Sequence, residues 1–274
     1  MVFRQQTSGV LNVVLAGLLF VACILFFLYA GSSTAQYTSE QPLPLEGNLP
    51  ERRILFIGNS YTFFNSMPVM LQNMLNTRSG RRFNYHADMI VKNAATMASH
   101  ASDPAALSQL QTNSYDYVFL QEQSTVPFFT DQAPVSDTAF GVLIRVAKER
   151  GARVAVFSTW ARKAGDDFYS EKHYSNFTPP RDVADMTRVL NDFYKRVVVR
   201  YGAGYIPLGT YWLQILMSHP EIEMYIADGS HPSRAGSYLM ALAAYRYIEG
   251  SVPDDVWCPT DINDSERNAL SGIF

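Results

Sequence analysis

The chain has 274 residues, 17% of them charged, with a formal net charge of −3 and a pI near 5.9. That balance, with no Lys/Arg-rich run, gives no basis for nucleic-acid binding. Cys23 and Cys258 cannot build a disulfide framework, and no Cys/His spacing resembles a structural zinc site.

The first element is apolar. Val10 to Ala30 is uncharged, with Asn12 its one strongly polar member. A helix of that length, at ~1.5 Å per residue, matches a bilayer core. Arg4 precedes it and no basic residue follows closely, so the bulk of the chain is expected outside the cytoplasm. The run is longer than the usual apolar core of a signal peptide, which favours an uncleaved single-pass anchor. Cleavage after Ala35, preceded by Ser33 and Thr34, is the alternative and leaves a secreted or periplasmic protein; lipidation at Cys23 fits less well. Residues 1–30 are therefore read as anchor or signal. Residues 31–51, rich in Ser, Thr, Gln and Pro, read as a flexible linker.

From Arg52 strands alternate with helices. Ile54–Ile57 reads as a buried strand ending at Gly58. Met67, Met70, Leu71, Met74 and Leu75 follow at helical spacing, closed by Gly80. Phe83–Val91 reads as a second strand and Ala95–Leu110 as a helix that contains Pro104. Tyr117–Leu120 is a third strand, Phe140 to Ala147 marks a helix, and Val154–Phe157 is a fourth strand. Met186 to Val197 marks a long helix, Tyr205–Leu208 a fifth strand, and a last helix runs from Ser233 to about Tyr247. Strands separated by helices predict βαβ units and a parallel sheet covered on both faces, within one domain at 52–250. Residues 251–274, with Asp, Asn and Ser, read as an exposed tail. Ligands in such α/β folds bind beyond the carboxyl ends of the strands, so chemistry is expected there.

The first strand leads into Gly58-Asn59-Ser60-Tyr61-Thr62. A serine there is exposed and close to backbone N–H groups that could hold an oxyanion. Thr62 excludes a Gly-x-Ser-x-Gly elbow, and no Gly-Lys-Ser/Thr makes a phosphate loop. Near the other end stands Asp228-Gly229-Ser230-His231-Pro232-Ser233. If that loop curls, the Asp228 carboxylate can hold the imidazole and leave its second nitrogen free as a base. Each segment alone also reads as an ordinary polar turn.

Together, ILFIGNSYT and DGSHPSRAGSYL resemble the SGNH (GDSL-type) hydrolase superfamily over about Ile54–Tyr247, and within it a subgroup with a GNSYT-like first block and an LQEQS-like third block. The resemblance implies a three-layer α/β/α sandwich with a flavodoxin-like parallel sheet, an esterase activity without a cofactor, and a triad of Ser60, Asp228 and His231. It also implies an oxyanion hole from the Ser60 backbone, a second-block backbone donor and a third-block amide. Lys92-Asn93-Ala94-Ala95-Thr96-Met97 has no glycine at the second block, where Ala94 is the best match; a backbone donor survives that change unless the position needs positive φ. Gln121 is the third-block candidate, with Gln123 its rival. After the fourth strand, Trp160 could stack on a sugar and Arg162 could contact an anionic or hydroxyl-rich substrate, or the two could be a core aromatic and a solvated charge. His86, His100, His173 and His219 share no ligand spacing, so no metal is expected.

The expected function is an extracytoplasmic serine esterase acting on a small-molecule or glycan ester. A catalytically silent glycan binder on the same fold and an O-acyltransferase are the alternatives.

Overall fold

Alternation of side chains sets the two faces of the sheet. In β1 (Glu51–Gly58), Ile54 and Phe56 point to one side while Leu55 and Ile57 point to the other, and all four are buried. The computed structural model describes residues 39–45, 47–170 and 175–274. The chain divides into two units, Met1–Tyr37 and Thr38–Phe274, and every described residue lies in the second. The anchor or signal segment expected at 1–30 lies outside the described residues, as do Cys23 and His173. No helix among the described residues is long and apolar enough to cross a membrane.

Five strands form one parallel sheet in the order β2-β1-β3-β4-β5. The others are β2 (Asn84–Val91), β3 (Tyr117–Gln121), β4 (Arg153–Phe157) and β5 (Gly204–Ile206). This 2-1-3-4-5 order is flavodoxin-like, and it reverses direction at β1/β3, where a crevice opens at the carboxyl ends.

Helices cover both faces. Ile54, Phe56, Phe119 and Phe157 pack with α2 (Met67–Thr77), α7 (Leu208–Ser218) and α8 (Arg234–Glu249). Leu55, Ile57, Leu120 and Val156 pack with α5 (Gln132–Glu149) and α6 (Val183–Tyr201). The sandwich is thus three layers deep, as the strand and helix alternation predicts. Between these elements, Ser60–Phe63 forms the short turn α1.

The structure departs from the sequence expectations in four places. The helix expected over Ala95–Leu110 is two: α3 (Met97–Ala101) and α4 (Pro104–Thr112). Pro104 starts the second one, with the Asp103 side chain capping the Ala105 N–H; proline suits a first turn and breaks an interior. The fifth strand stops at Ile206. Pro207 has no N–H for the sheet ladder, and Leu208, Trp212 and Ile215 then form a buried helical stripe on α7.

The C-terminal residues are not an exposed tail. Val256, Ile262 and Leu270 are buried in the core, and α9 (Asp264–Ser271) is capped by a reciprocal Asn263/Glu266 pair. The end of the linker is pinned as well. Asn73 accepts from the Leu43 N–H and donates to the Gln41 carbonyl, and Glu40 pairs with Arg234.

Candidate active site

Backbone geometry delivers Ser60 to the crevice. β1 ends at Gly58, and a Cβ added there would lie 2.4 Å from the Thr62 hydroxyl and 2.7 Å from Gln121 Oε1. Only glycine lets the chain pass so close. Asn59 then caps α1, its side-chain oxygen accepting from the Tyr61 N–H at 3.1 Å. Ser60 is the first residue of that turn, where helix N–H groups are unpaired.

The acid–base loop curls as its residues allow. Asp228 Oδ1 accepts from the Ser230 and His231 N–H groups, both at 2.9 Å. Gly229 takes φ +66° in the bend, a conformation that glycine adopts without a Cβ penalty. This closed turn brings Asp228 Oδ2 to 2.5 Å from His231 Nδ1 and puts His231 Nε2 2.8 Å from Ser60 Oγ. Three side chains expected together are therefore in hydrogen-bonded sequence.

The electrostatics suit a general base. Half-burial works against ionisation of Asp228, but the His231 side chain and the Ser230 and His231 backbone donors outweigh it and hold its pKa down at about 2. Asp228 is then ionised at any ordinary pH, fixing the Nδ1–H tautomer of His231 and leaving Nε2 to accept the Ser60 proton. The imidazole is also held by contact: the Phe64 ring stacks on it at 4.4 Å, and the Tyr61 ring meets it edge-on at 5.3 Å.

The second-block loop answers the question left by Ala94. Its φ is +53°, so this position does use the left-handed region, and alanine occupies it. Among the described residues, neither the Ser60 nor the Ala94 N–H has a hydrogen-bond acceptor. Two neighbouring ties hold the loop: Asn59 Nδ2 donates to the Ala95 carbonyl at 3.0 Å, and the Met97 N–H donates to the Glu122 carboxylate.

Gln121 is placed differently from the expected oxyanion donor. It is 1% exposed, its Oε1 accepts from the Asn59 N–H and the Thr62 hydroxyl, and its Nε2 donates to the Glu122 carbonyl. It braces the Ser60 turn from below. Gln123 caps its own turn through Thr125 and Val126. Trp160 requires a correction: at 1% exposure, stacked between Tyr61 at 4.5 Å and Trp212 at 4.1 Å, it has no face left for a sugar. Arg162 is partly buried, pairs with Asp166 at 3.2 Å and lies over the Phe168 ring. Gln123, Arg162, Asp166, Phe129 and Phe168 line one cavity of about 400 Å³. Lys163, next in the chain to Arg162, donates its N–H to the Gly229 carbonyl at 2.8 Å.

The sequence reading missed Tyr61, Phe64 and Glu122. Tyr61 and Glu122 lie inside the GNSYT and LQEQS blocks themselves. Phe64 stands four positions after Ser60, a helical spacing that could have flagged it.

No family model and no curated protein sequence matches this chain. Solved structures do. A protein from Slackia heliotrinireducens assigned to the SGNH hydrolases superposes with TM-score 0.60 and 25% identity, over 72% of this chain and 99% of that one. The chain has the SGNH hydrolase fold. A DUF4886 family protein from Bacteroides uniformis matches with TM-score 0.62 and 17% identity, covering 81% of this chain and 93% of that one. The acetyl xylan esterase AlAXEase matches with TM-score 0.53 and 14% identity, covering 72% and 99%. The last two likenesses concern the fold alone.

Proposed function

We propose that this SGNH-fold chain is a serine esterase that cleaves carboxylic esters through an acyl-enzyme. The observation that carries the reading is the continuous path Ser60 Oγ–His231 Nε2 and His231 Nδ1–Asp228 Oδ2, at 2.8 and 2.5 Å. In the first step Ser60 Oγ bonds to the ester carbonyl carbon while its proton passes to His231 Nε2. The negative charge moves to the carbonyl oxygen, where the Ser60 and Ala94 N–H groups stabilise it. Collapse breaks the bond to the alcohol, which takes the proton back from His231. Water, deprotonated by the same nitrogen, then releases the acid.

The substrate we favour is an O-acylated glycan of the envelope or extracellular space. The apolar run at Val10–Ala30 supports a domain outside the cytoplasm, and the polar and aromatic lining around Gln123, Arg162 and Phe168 supports a hydroxyl-rich ligand. The likeness of fold to an acetyl xylan esterase agrees with that choice.

The occupied amide of Gln121 favours one rival, a silent glycan binder, because it leaves the oxyanion to backbone donors. The test is turnover of p-nitrophenyl acetate and acetylated oligosaccharides by the wild type and Ser60→Ala. The esterase reading expects the variant to lose at least ~10³-fold. Equal rates would remove Ser60 from the mechanism, and a folded wild type that no fluorophosphonate labels would favour the binder.

A further inference from the structure

The Tyr61 hydroxyl has no part in the steps above, yet it is fully buried between two catalytic segments. It is hydrogen-bonded to Ser230 Oγ, with Ser124 Oγ at 3.3 Å. Ser230 is in turn held at every polar atom. Its N–H donates to Asp228 Oδ1 at 2.9 Å, and its carbonyl accepts from Trp160 Nε1 at 2.9 Å. Tyr61 follows Ser60 directly and Ser230 precedes His231 directly. The contact thus lies one residue from each end of the Ser60–His231 pair.

We propose that Tyr61 is a positioning residue whose hydroxyl, held on Ser230, clamps the turn bearing Ser60 to the loop bearing Asp228 and His231. The inference rests on the esterase reading of this site and assigns no chemical step to Tyr61.

Three observations carry it. A site that needed only apolar volume would be filled by phenylalanine, and burying a phenol is costly unless its hydroxyl is partnered. The ring cannot swing, because Trp160 stacks on it at 4.5 Å and 9°, with Trp212 stacked on Trp160. Burial also raises the Tyr61 pKa above its ordinary value, so the hydroxyl carries its proton at neutral pH. The clamp has a counterpart on the far side of α1. Asn65, at φ +53°, donates its amide to the Pro232 and Ser233 carbonyls and to Ser237 Oγ. Without the Tyr61 hydroxyl, Trp160 and Lys163 would still hold the Ser230 and Gly229 carbonyls and Asn65 would hold the chain beyond His231, but among the described residues no direct hydrogen bond would join the Asp228 side of the loop to the segment that carries Ser60.

The experiment compares full-length wild type, Tyr61→Phe, Ser230→Ala and the double variant. Tyr61→Phe keeps the ring stack and removes one oxygen. We expect kcat for an acetyl ester to fall ~10- to 100-fold with KM within about twofold, since a displacement on the order of 1 Å misaligns a reacting pair without removing substrate contacts. Ser230→Ala should act alike, and the double variant should be no slower than the slower single one. The Nδ1–H proton resonance of His231 is read in parallel by NMR, and it should shift or broaden in Tyr61→Phe. Unchanged kcat and an unchanged His231 resonance, even with lower stability, would overturn the clamp. Losses that multiply in the double variant would overturn it too. If the wild type neither turns over nor takes a fluorophosphonate, the esterase reading fails, while the His231 resonance still decides whether Tyr61 positions the loop.

Discussion

Glu122 shows what one residue costs where it stands. Its carboxylate is fully buried, accepting from the Met97 and Gln123 N–H groups and the Ser136 hydroxyl, and burial pushes its pKa up to about 7. In the unfolded chain the proton leaves near 4.5. The folded state therefore holds an extra proton between about pH 4.5 and 7. The stability linked to that proton is complete below 4.5 and is lost as pH rises through 7. A shift of this size corresponds to about 3 kcal/mol. Glu122→Gln keeps an oxygen for the two N–H groups and turns an NH2 toward Ser136, so it mimics the neutral acid. We expect urea unfolding to show the wild type losing about 3 kcal/mol relative to Glu122→Gln between pH 4.5 and 7. Parallel stability curves for the two proteins would show that the carboxylate is ionised throughout.

At the scale of elements, the joint between β2 and α3 sets the backbone from which the proposed oxyanion hole would draw its Ala94 donor. Alanine in the left-handed region costs roughly 1–2 kcal/mol relative to a relaxed conformation, whereas glycine there costs little but adds entropy to the unfolded chain. Ala94→Gly should therefore leave ester turnover near wild type and raise stability by roughly 0.5–1 kcal/mol. Ala94→Val, which crowds the same backbone, should lower both kcat and stability. Denaturant midpoints and steady-state rates check both outcomes; a slower Ala94→Gly enzyme would mean that the methyl group itself contributes. The neighbouring ties from Asn59 and Glu122 explain how the loop retains its shape with alanine at the left-handed position.

At the scale of the whole molecule, both ends of the described domain are bound to α8, the helix that follows the His231 loop. Glu40 and Asp261 both pair with Arg234 at the start of α8, one residue after the Ser233 cap. Leu270 on α9 is completely buried. Leu270→Ala should cost about 2–5 kcal/mol, the range for a buried leucine truncation, and should do so with little change in KM. A loss under ~0.5 kcal/mol, the range of surface substitutions, would return α9 to the status of an exposed tail.

By itself, the sequence determined the class of fold and singled out three side chains that the structure places in hydrogen-bonded order. Apolar runs of four residues and helices at 3.6-residue spacing are local signals, and short blocks such as GNSYT and DGSHPS carry their own turn geometry. What only the tertiary structure decided depends on residues distant in the chain. Trp160 could be read as a sugar platform or as a core aromatic until Tyr61 and Trp212 were seen to cover both its faces. Gln121 looked free to donate until Asn59 and Thr62 claimed its oxygen. Ala94 could be judged only once its φ was set by the loop around it. Position after a strand brings a side chain to the crevice, but whether it faces substrate depends on which neighbours fold over it.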